Sequence, residues 1–182
     1  MQVVFVTSNH HKVVEANKVG KEYGIRFNQV HILYPEVRAE TVTKVAVEGA
    51  KYVCQQIDKP VIVEDSGLFI DSLGGFPGPY SAFVYSKIGC KGILDLLRSL
   101  PDRSAKFISA VGYCSRGQVK VFEGEIEGII STQEKGSKGF GYDPIFKPKG
   151  HDKTFAQDMA QKNLVSHRRK AIQSLCRFLQ PD

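Results

Sequence analysis

The sequence lacks a long hydrophobic run. No apolar stretch approaches the ~20 residues that a helix needs to span a bilayer. The chain begins MQVVFVTSNHHK, which has neither the basic start nor the small-residue cleavage site of a signal peptide. We therefore expect no membrane partner and predict a cytoplasmic protein.

Cysteine is also sparse. The four cysteines, Cys54, Cys90, Cys114 and Cys176, lie far apart, and no pair has CxxC spacing. This distribution argues against both a zinc site and a disulfide framework. A reducing compartment is expected, in agreement with the cytoplasmic prediction.

Low-complexity tracts, internal repeats and linkers are absent as well. A hydrophobic fraction of 42% and a charged fraction of 24% argue against a mainly disordered chain. A length of 182 residues is close to the size at which one domain still organises a single core. We predict one folded domain over residues 1–182.

The charge balance favours an anionic partner. Lys and Arg number 25 against 19 Asp and Glu, which gives a formal net charge of +6. The basic residues are scattered, and no stripe of them alternates with aromatics as in many nucleic-acid binders. Nucleotide phosphate and nucleic acid both remain open on charge alone.

The apolar and turn patterns predict an α/β fold with a mixed sheet. Two long apolar segments joined by Arg116 and Gly117 are typical of an antiparallel hairpin, whereas the earlier strands alternate with helices. Strands are expected over residues 2–7, 25–33, 60–63, 105–115, 118–130 and 144–146. Helices are expected over residues 10–23, 43–56, 81–88, 93–99 and 162–179.

The first candidate site is the segment Thr7-Ser8-Asn9-His10-His11-Lys12, where the first strand meets the first helix. Amide groups at a helix start bind phosphate oxygens, and Lys12 would add positive charge. The alternative is that Ser8 or Asn9 only caps the helix and Lys12 is solvated.

The second candidate site is a group of acids, Glu64-Asp65-Ser66 with Glu36 on an earlier loop. Carboxylates at a strand end bind Mg²⁺, and one of them can also activate a water. Adjacent strand residues point to opposite faces, so Glu64 and Asp65 should share the cleft only if the strand has already ended. Solvated acids at a turn are the alternative.

Two further segments lie near the C-terminus. In the glycine-aromatic loop, Phe140, Gly141, Tyr142 and Asp143 are suited to stacking on a base and accepting from its edge. Lys162 with the His167-Arg168 pair would contact phosphate and base carbonyls. The alternatives are a tight turn with core anchors, and a solvated basic helix face.

Four motifs taken together resemble, in this order, the inosine triphosphate pyrophosphatase family, also called Ham1-like. They are TSNHHK, EDSGLFIDSLGGFPGPYSAFVY, GFGYDPIF and KNLVSHRRKA, and they span nearly the whole chain. The resemblance implies an elongated mixed β-sheet flanked by helices, with two lobes around a central nucleotide-binding cleft, usually in a homodimer. It also implies Mg²⁺-dependent hydrolysis of inosine, deoxyinosine and xanthosine triphosphates to monophosphate and pyrophosphate.

The resemblance also implies a role for each motif residue. Asp65 would be the catalytic residue that activates water and, with Glu36, a metal ligand, with Glu64 ranked behind both. His167 and Arg168 would read the six-position oxygen of the purine. The expected substrate-binding residues are Thr7, Ser8, Asn9, His10, His11, Lys12, Lys51, Ser66, Phe140, Gly141, Tyr142, Asp143, Lys162, His167 and Arg168.

Two other functions compete with this one. A nucleic-acid binder would use the basic motifs to follow a phosphate backbone, with affinity that falls steeply with salt. Its backbone would be repelled by the paired acids unless a metal were present, so no stable nucleic-acid partner is expected. A Maf-type pyrophosphatase would share the reaction but lack the Ser-His-Arg sequence at 166–168.

Overall fold

The structure, a computed structural model, describes residues 1–35 and 37–180. Those ranges contain seven strands and five α-helices. The strands are β1 (Gln2–Val6), β2 (Arg26–Val30), β3 (Val61–Ile70), β4 (Pro77–Gly78), β5 (Ser104–Ser115), β6 (Gln118–Ile130) and β7 (Phe146–Pro148). The helices are α1 (His10–Glu22), α2 (Val42–Cys54), α3 (Ser81–Leu96), α4 (Met159–Val165) and α5 (His167–Phe178).

The predicted mixed sheet is confirmed. Its strand order is β2-β1-β3-β5-β6-β7, and β4 pairs with the end of β3. β1 runs parallel to β2 and β3, and the remaining pairs are antiparallel. The β5–β6 hairpin turns at Arg116 and Gly117, both with positive φ, as a two-residue turn of this kind requires.

The core has two main parts. On one side, α1 and α5 pack against the sheet around Phe5, Ile62 and Val111. A second cluster, which includes Phe107 and Phe146, joins α3 and β7 to the far ends of β3, β5 and β6. The two clusters lie towards opposite ends of β3 and β5, since the first includes Ile62 and Val111 and the second Leu68 and Phe107.

β3 is longer than predicted. It was expected to end at residue 63, but it continues to Ile70 because it pairs with β5 at every position. Its parallel pairing with β1 stops at Ile62. Glu64 and Asp65 therefore lie within a strand and point to opposite faces of the sheet.

The predicted final helix is two helices. Ser166, with φ −64° and ψ 156°, is extended, so the helical hydrogen bonding is interrupted there. Its hydroxyl accepts a hydrogen bond from the amide of Arg169 and caps α5. His167 and Arg168 consequently open a new helix. The expected break between two helical segments near residue 90 is present, since Gly89 within α3 has φ 60°.

The prediction against disulfides is wrong. Cys54 at the end of α2 and Cys114 on β5 form a disulfide across a sequence separation of 60 residues. Helix α2 packs on β5 and brings the two Cα atoms to 5.9 Å, a proximity that the spacing in the sequence does not reveal. Cys90 and Cys176 are free and buried. No helix within the described residues is long and apolar enough to cross a membrane.

Candidate active site

The first turn of α1 is shaped by two local hydrogen bonds. The hydroxyl of Thr7 accepts from the Asn9 amide at 3.1 Å, and the Asn9 side chain accepts from the His11 amide at 2.9 Å. Asn9 is therefore the helix cap, as the simpler interpretation proposed. Capping is compatible with phosphate binding, because the positive end of the helix dipole lies at the same place.

Two adjoining cavities meet at this helix start, and both are lined by Asn9, Lys12, Asp65, Pro79 and Ala82. The aromatic cavity, about 320 Å³, is further lined by His11, Ser66, Ser81, Tyr85, Phe107, Phe140, Gly141, Tyr142, Asp143, Lys162, His167 and Arg168. The α1 cavity, about 420 Å³, is further lined by Thr7, Ser8, His31, Ile32, Leu33, Tyr34, Val45, Glu64, Tyr80 and Phe83.

Glu64 is buried behind the cavities and holds two of their cations. Its carboxylate is 2.9 Å from Lys12 Nζ and 3.2 Å from Arg168 Nε, and it accepts a 2.6 Å hydrogen bond from the Ser109 hydroxyl. Burial opposes ionisation, but Arg168 and Lys12 outweigh it and hold the pKa of Glu64 well below its usual value. Glu64 thus fixes the cations in place.

Glu15, on α1, makes a second such junction. Its two carboxylate oxygens lie 2.7 Å from Lys162 Nζ and 2.6 Å from Arg168 Nη1. Lys162 also pairs with Asp143 at 2.6 Å. Burial opposes ionisation of Glu15, yet Arg168 and Lys162 lower its pKa to about 2.

The buried ion network is formally neutral. Its cations, Lys12, Lys162 and Arg168, face three carboxylates, Glu15, Glu64 and Asp143. Buried charges are tolerated only when paired in this way, because their desolvation is costly. For Asp143, burial raises the pKa above its ordinary value despite the opposing effect of Lys162.

Asp143 also folds the glycine-aromatic loop back on itself. Its carboxylate accepts a 2.9 Å hydrogen bond from the amide of Phe140. Gly139 has φ +81°, and a Cβ there would lie 2.2 Å from the Asp143 carboxylate. Only glycine allows this approach. One carboxylate oxygen of Asp143, Oδ2, is therefore engaged within the protein by Phe140 and Lys162, and the contact of Asp143 with a base edge stays a prediction.

Phe140 is surrounded by aromatic and cationic groups. The His11 ring stacks on it with centroids 5.1 Å apart. Lys162 Nζ and the Arg168 guanidinium carbon lie 4.5 and 5.5 Å from its centroid. The hydroxyl of the buried Tyr142 donates to the Ser81 carbonyl at 3.3 Å. The predicted base-recognition loop thus forms one wall of the aromatic cavity.

His167 is buried at the start of α5. Its ring stacks on Phe107 with centroids 4.6 Å apart. Burial, together with the nearby Arg168 and Lys162, lowers the pKa of His167 well below its ordinary value, so the ring is neutral. Its Nδ1 has no hydrogen-bond partner among the described residues. A buried polar atom of this kind is expected to pair with a ligand or a water.

Asp65 lies on the opposite face of β3 from Glu64 and lines both cavities. Glu36, its predicted partner as metal ligand, lies outside the described residues. Within residues 1–35 and 37–180, no group of three or more His, Cys, Asp or Glu is arranged to hold a metal. One or two carboxylates completed by substrate phosphates and water are the usual magnesium site, and Asp65, the described member of the predicted pair, has the chemistry that such a site uses.

The comparison with known proteins agrees with this geometry. The Ham1 family model matches residues 3–178.

The chain belongs to the Ham1 family.

This Ham1 protein is 49% identical over 175 residues to the dITP/XTP pyrophosphatase of Methanopyrus kandleri, covering 95% of this chain and 93% of that protein. It is 45% identical over 180 residues to the dITP/XTP pyrophosphatase of Thermococcus kodakarensis, covering 98% and 97%. The structure of the Staphylococcus aureus Ham1 protein matches with a TM-score of 0.84 at 30% identity, covering 98% of both chains.

Two predicted residues of this Ham1 protein line neither cavity. His10 Nδ1 lies 3.1 Å from the Gln29 side-chain oxygen. Lys51 is 2.8 Å from Glu48 on an exposed face of α2. Their substrate contacts remain predictions. All other predicted substrate-binding residues line at least one of the two cavities.

Glu15 and Ser109 were missed by the sequence analysis. Glu15 is three residues after Lys12, so the two share one face of α1, and that spacing was a usable signal. Ser109 lies in the middle of an apolar strand, and nothing local indicates that it faces Glu64.

A larger cavity of about 790 Å³ lies along β5, β6 and β7, and among its lining residues only Asp71 belongs to a motif. Two of its charged side chains, Lys149 and Glu127, form an exposed ion pair. It contains none of the predicted site residues, so volume does not identify the site here.

Proposed function

We propose that this Ham1 protein hydrolyses inosine, deoxyinosine and xanthosine triphosphates to the monophosphate and pyrophosphate, and so removes deaminated purines before incorporation into nucleic acid. Its relatives in Methanopyrus kandleri and Thermococcus kodakarensis are named dITP/XTP pyrophosphatases. The observation that carries the proposal is the aromatic cavity, where two buried cations lie against Phe140 and the neutral His167 lines the same space.

The base would bind in the aromatic cavity. Phe140, stacked on His11, would form an aromatic wall beside the base, while Arg168 and Lys162 are donors that a six-oxo group satisfies. Adenine has an amino group at that position, so it would leave these buried donors unpaired. A site built from donors therefore favours hypoxanthine and xanthine over adenine.

The triphosphate would extend into the α1 cavity. Thr7, Ser8 and Asn9 line it at the positive end of α1. Lys12 lies at the junction of the two cavities, where its ammonium group, held by Glu64 at 2.9 Å, would also contact phosphate. The scissile region would then lie near Asp65, which lines both cavities.

Asp65 would orient the attacking water and accept its proton. The water oxygen bonds to the α-phosphorus, and the bond from that phosphorus to the bridging oxygen of the β-phosphate breaks, releasing pyrophosphate. Lys12 would offset the charge that develops on the phosphates. Mg²⁺, held by Asp65 and Glu36 when bound, supplies further neutralisation of phosphate charge.

The assembly and location are part of the same proposal. One domain spans residues 1–182, acts in the cytoplasm and forms a homodimer. Exposed aromatic side chains at Phe76, Tyr80, Phe83 and Tyr85 support a protein interface around α3. Light scattering after gel filtration measures the mass, and a monomer at micromolar concentration would exclude the dimer.

The test of the reaction is pyrophosphate release from inosine, xanthosine, guanosine and adenosine triphosphates, with and without Mg²⁺. We expect metal-dependent pyrophosphate from the first two and little from adenosine triphosphate. Orthophosphate as product, or no turnover with any divalent metal, would contradict the proposal.

A further inference from the structure

Glu15 contacts both Lys162 and Arg168, the two cations at the base end of the cleft, where the purine base is proposed to bind. It lies one helical turn after Lys12 in α1, and its side chain is 11% exposed. One oxygen is 2.7 Å from Lys162 Nζ and the other 2.6 Å from Arg168 Nη1. Because α1 also begins at the predicted phosphate site, Glu15 connects that helix directly to the groups beside Phe140.

The orientation of Arg168 depends on this contact. Its Nε pairs with Glu64 at 3.2 Å, Nη1 with Glu15 at 2.6 Å and Nη2 with the Ser66 hydroxyl at 2.8 Å. These bonds use three of the five N–H donors of a guanidinium group. Partners on all three nitrogens fix the plane of the group, and the two other donors then have a defined direction.

The position of Lys162 also depends on its contact with Glu15. Its ammonium group pairs with Glu15 and Asp143 and lies 4.5 Å from the Phe140 ring centroid. An ammonium group has three donors, so these two pairs leave one for a ligand. Without Glu15, only Asp143 would hold the ammonium group, and the pKa of Asp143 is raised by burial.

Removing the Glu15 charge would also unbalance the network. Three cations would face two carboxylates, and the base end of the cleft would carry a formal charge of +1. A positive base end attracts phosphate as well as a neutral base, and it weakens the distinction between the two ends of the cleft.

We propose that Glu15 is a positioning residue that sets base selection by fixing the direction of the Arg168 and Lys162 donors, without touching the substrate. This inference rests on the proposed function, since it assumes that these cations read the six-position of a purine. It predicts an effect on the choice between inosine and adenosine triphosphates, and not only on stability.

The chain contains a matched control. Glu22 and Arg169 also join α1 to α5, with two contacts of 2.8 Å, but Glu22 is largely exposed and lines neither cavity. Glu22→Gln removes an ion pair between the same two helices and leaves the base-end network intact.

The experiment measures kcat and KM for inosine and adenosine triphosphates in the wild type, Glu15→Gln and Glu22→Gln. Losing charged hydrogen bonds at two donors should lower the ratio of kcat/KM for inosine over adenosine triphosphate at least about tenfold in Glu15→Gln. The larger part should be a rise in KM for inosine triphosphate. Glu22→Gln should keep the wild-type ratio.

A folded Glu15→Gln protein with the wild-type ratio would overturn the inference, while a wild type that releases no pyrophosphate from inosine triphosphate would instead overturn the proposed function. If Glu15→Gln does not fold, Glu15→Asp decides. It keeps the charge but shortens the reach by one methylene, and we expect a smaller fall in the same ratio. An unchanged ratio in a folded Glu15→Asp would also overturn the inference.

Discussion

The two cavities of this Ham1 protein differ in how their polar groups are satisfied. The aromatic cavity is backed by a buried network in which each cation already has a carboxylate partner. The α1 cavity is more open, with Leu33 98% exposed and Phe83 64% exposed on its walls. A base needs a preformed pattern of donors, whereas a metal triphosphate brings its own charges and ligands.

The comparison predicts that function and stability can be separated by position. Asp65, which lies at the junction with the α1 cavity but outside the buried network, should matter for turnover and little for folding. A member of the buried network should matter for both, because removing one partner leaves others buried and uncompensated.

The largest effect is expected from Asp65→Asn. Loss of the group that orients and deprotonates water should reduce kcat about 10²- to 10⁴-fold, while the thermal midpoint stays near that of the wild type. Pyrophosphate release at saturating Mg²⁺ measures kcat, and calorimetry measures the thermal midpoint. Asp58→Asn, on an exposed loop away from both cavities, serves as the control. Near-normal turnover would exclude Asp65 as the residue that activates the water.

Arg168→Met should cause the largest loss of stability. Glu15 and Glu64 would each lose a buried cationic partner, and breaking a buried ion pair costs about 3–5 kcal/mol. Arg169→Met, the neighbouring change, removes only the exposed pair with Glu22 and should cost less than about 1 kcal/mol. Urea unfolding of both variants tests this difference. Equal losses of stability in the two variants would mean that the buried ion network stabilises the fold no more than an exposed ion pair does.

A smaller loss of stability is expected when the pH is lowered. His167 is neutral when buried, so only the unfolded chain gains a proton below pH about 6.5, and stability should fall by about 1.4 kcal/mol per pH unit there. Glu15 and Glu64 have lowered pKa values, so their stabilisation is present above pH about 4.5 and is lost as pH falls further toward 2. Asp143, with a raised pKa, acts in the opposite direction.

Urea unfolding at pH 7.5, 5.5 and 4.0 measures these slopes. His167→Asn should remove the fall between pH 7.5 and 5.5 and reduce the fall between pH 5.5 and 4.0, leaving the part that comes from Glu15 and Glu64. A wild type with constant stability from pH 7.5 to 5.5 would contradict a buried neutral His167.

Predictions from local sequence were the most successful. Asn9 at the helix start, the Arg116-Gly117 turn and the break near Gly89 each depend on a few adjacent residues, and the structure contains all three. Errors arose where distant segments decide the outcome. β3 runs on to Ile70 because β5 pairs with it, and Cys54 meets Cys114 because α2 packs on that same strand.

The sequence by itself determined the mixed α/β fold through short-range patterns, and its resemblance to the Ham1-like family assigned four motifs to one site. Only the tertiary structure decided which charged side chains pair with each other. Arg168 meets Glu15 across 153 residues and Glu64 across 104. Contacts at such separations leave no local pattern, because the free energy of burying each charge depends on which partners the fold brings within hydrogen-bond distance.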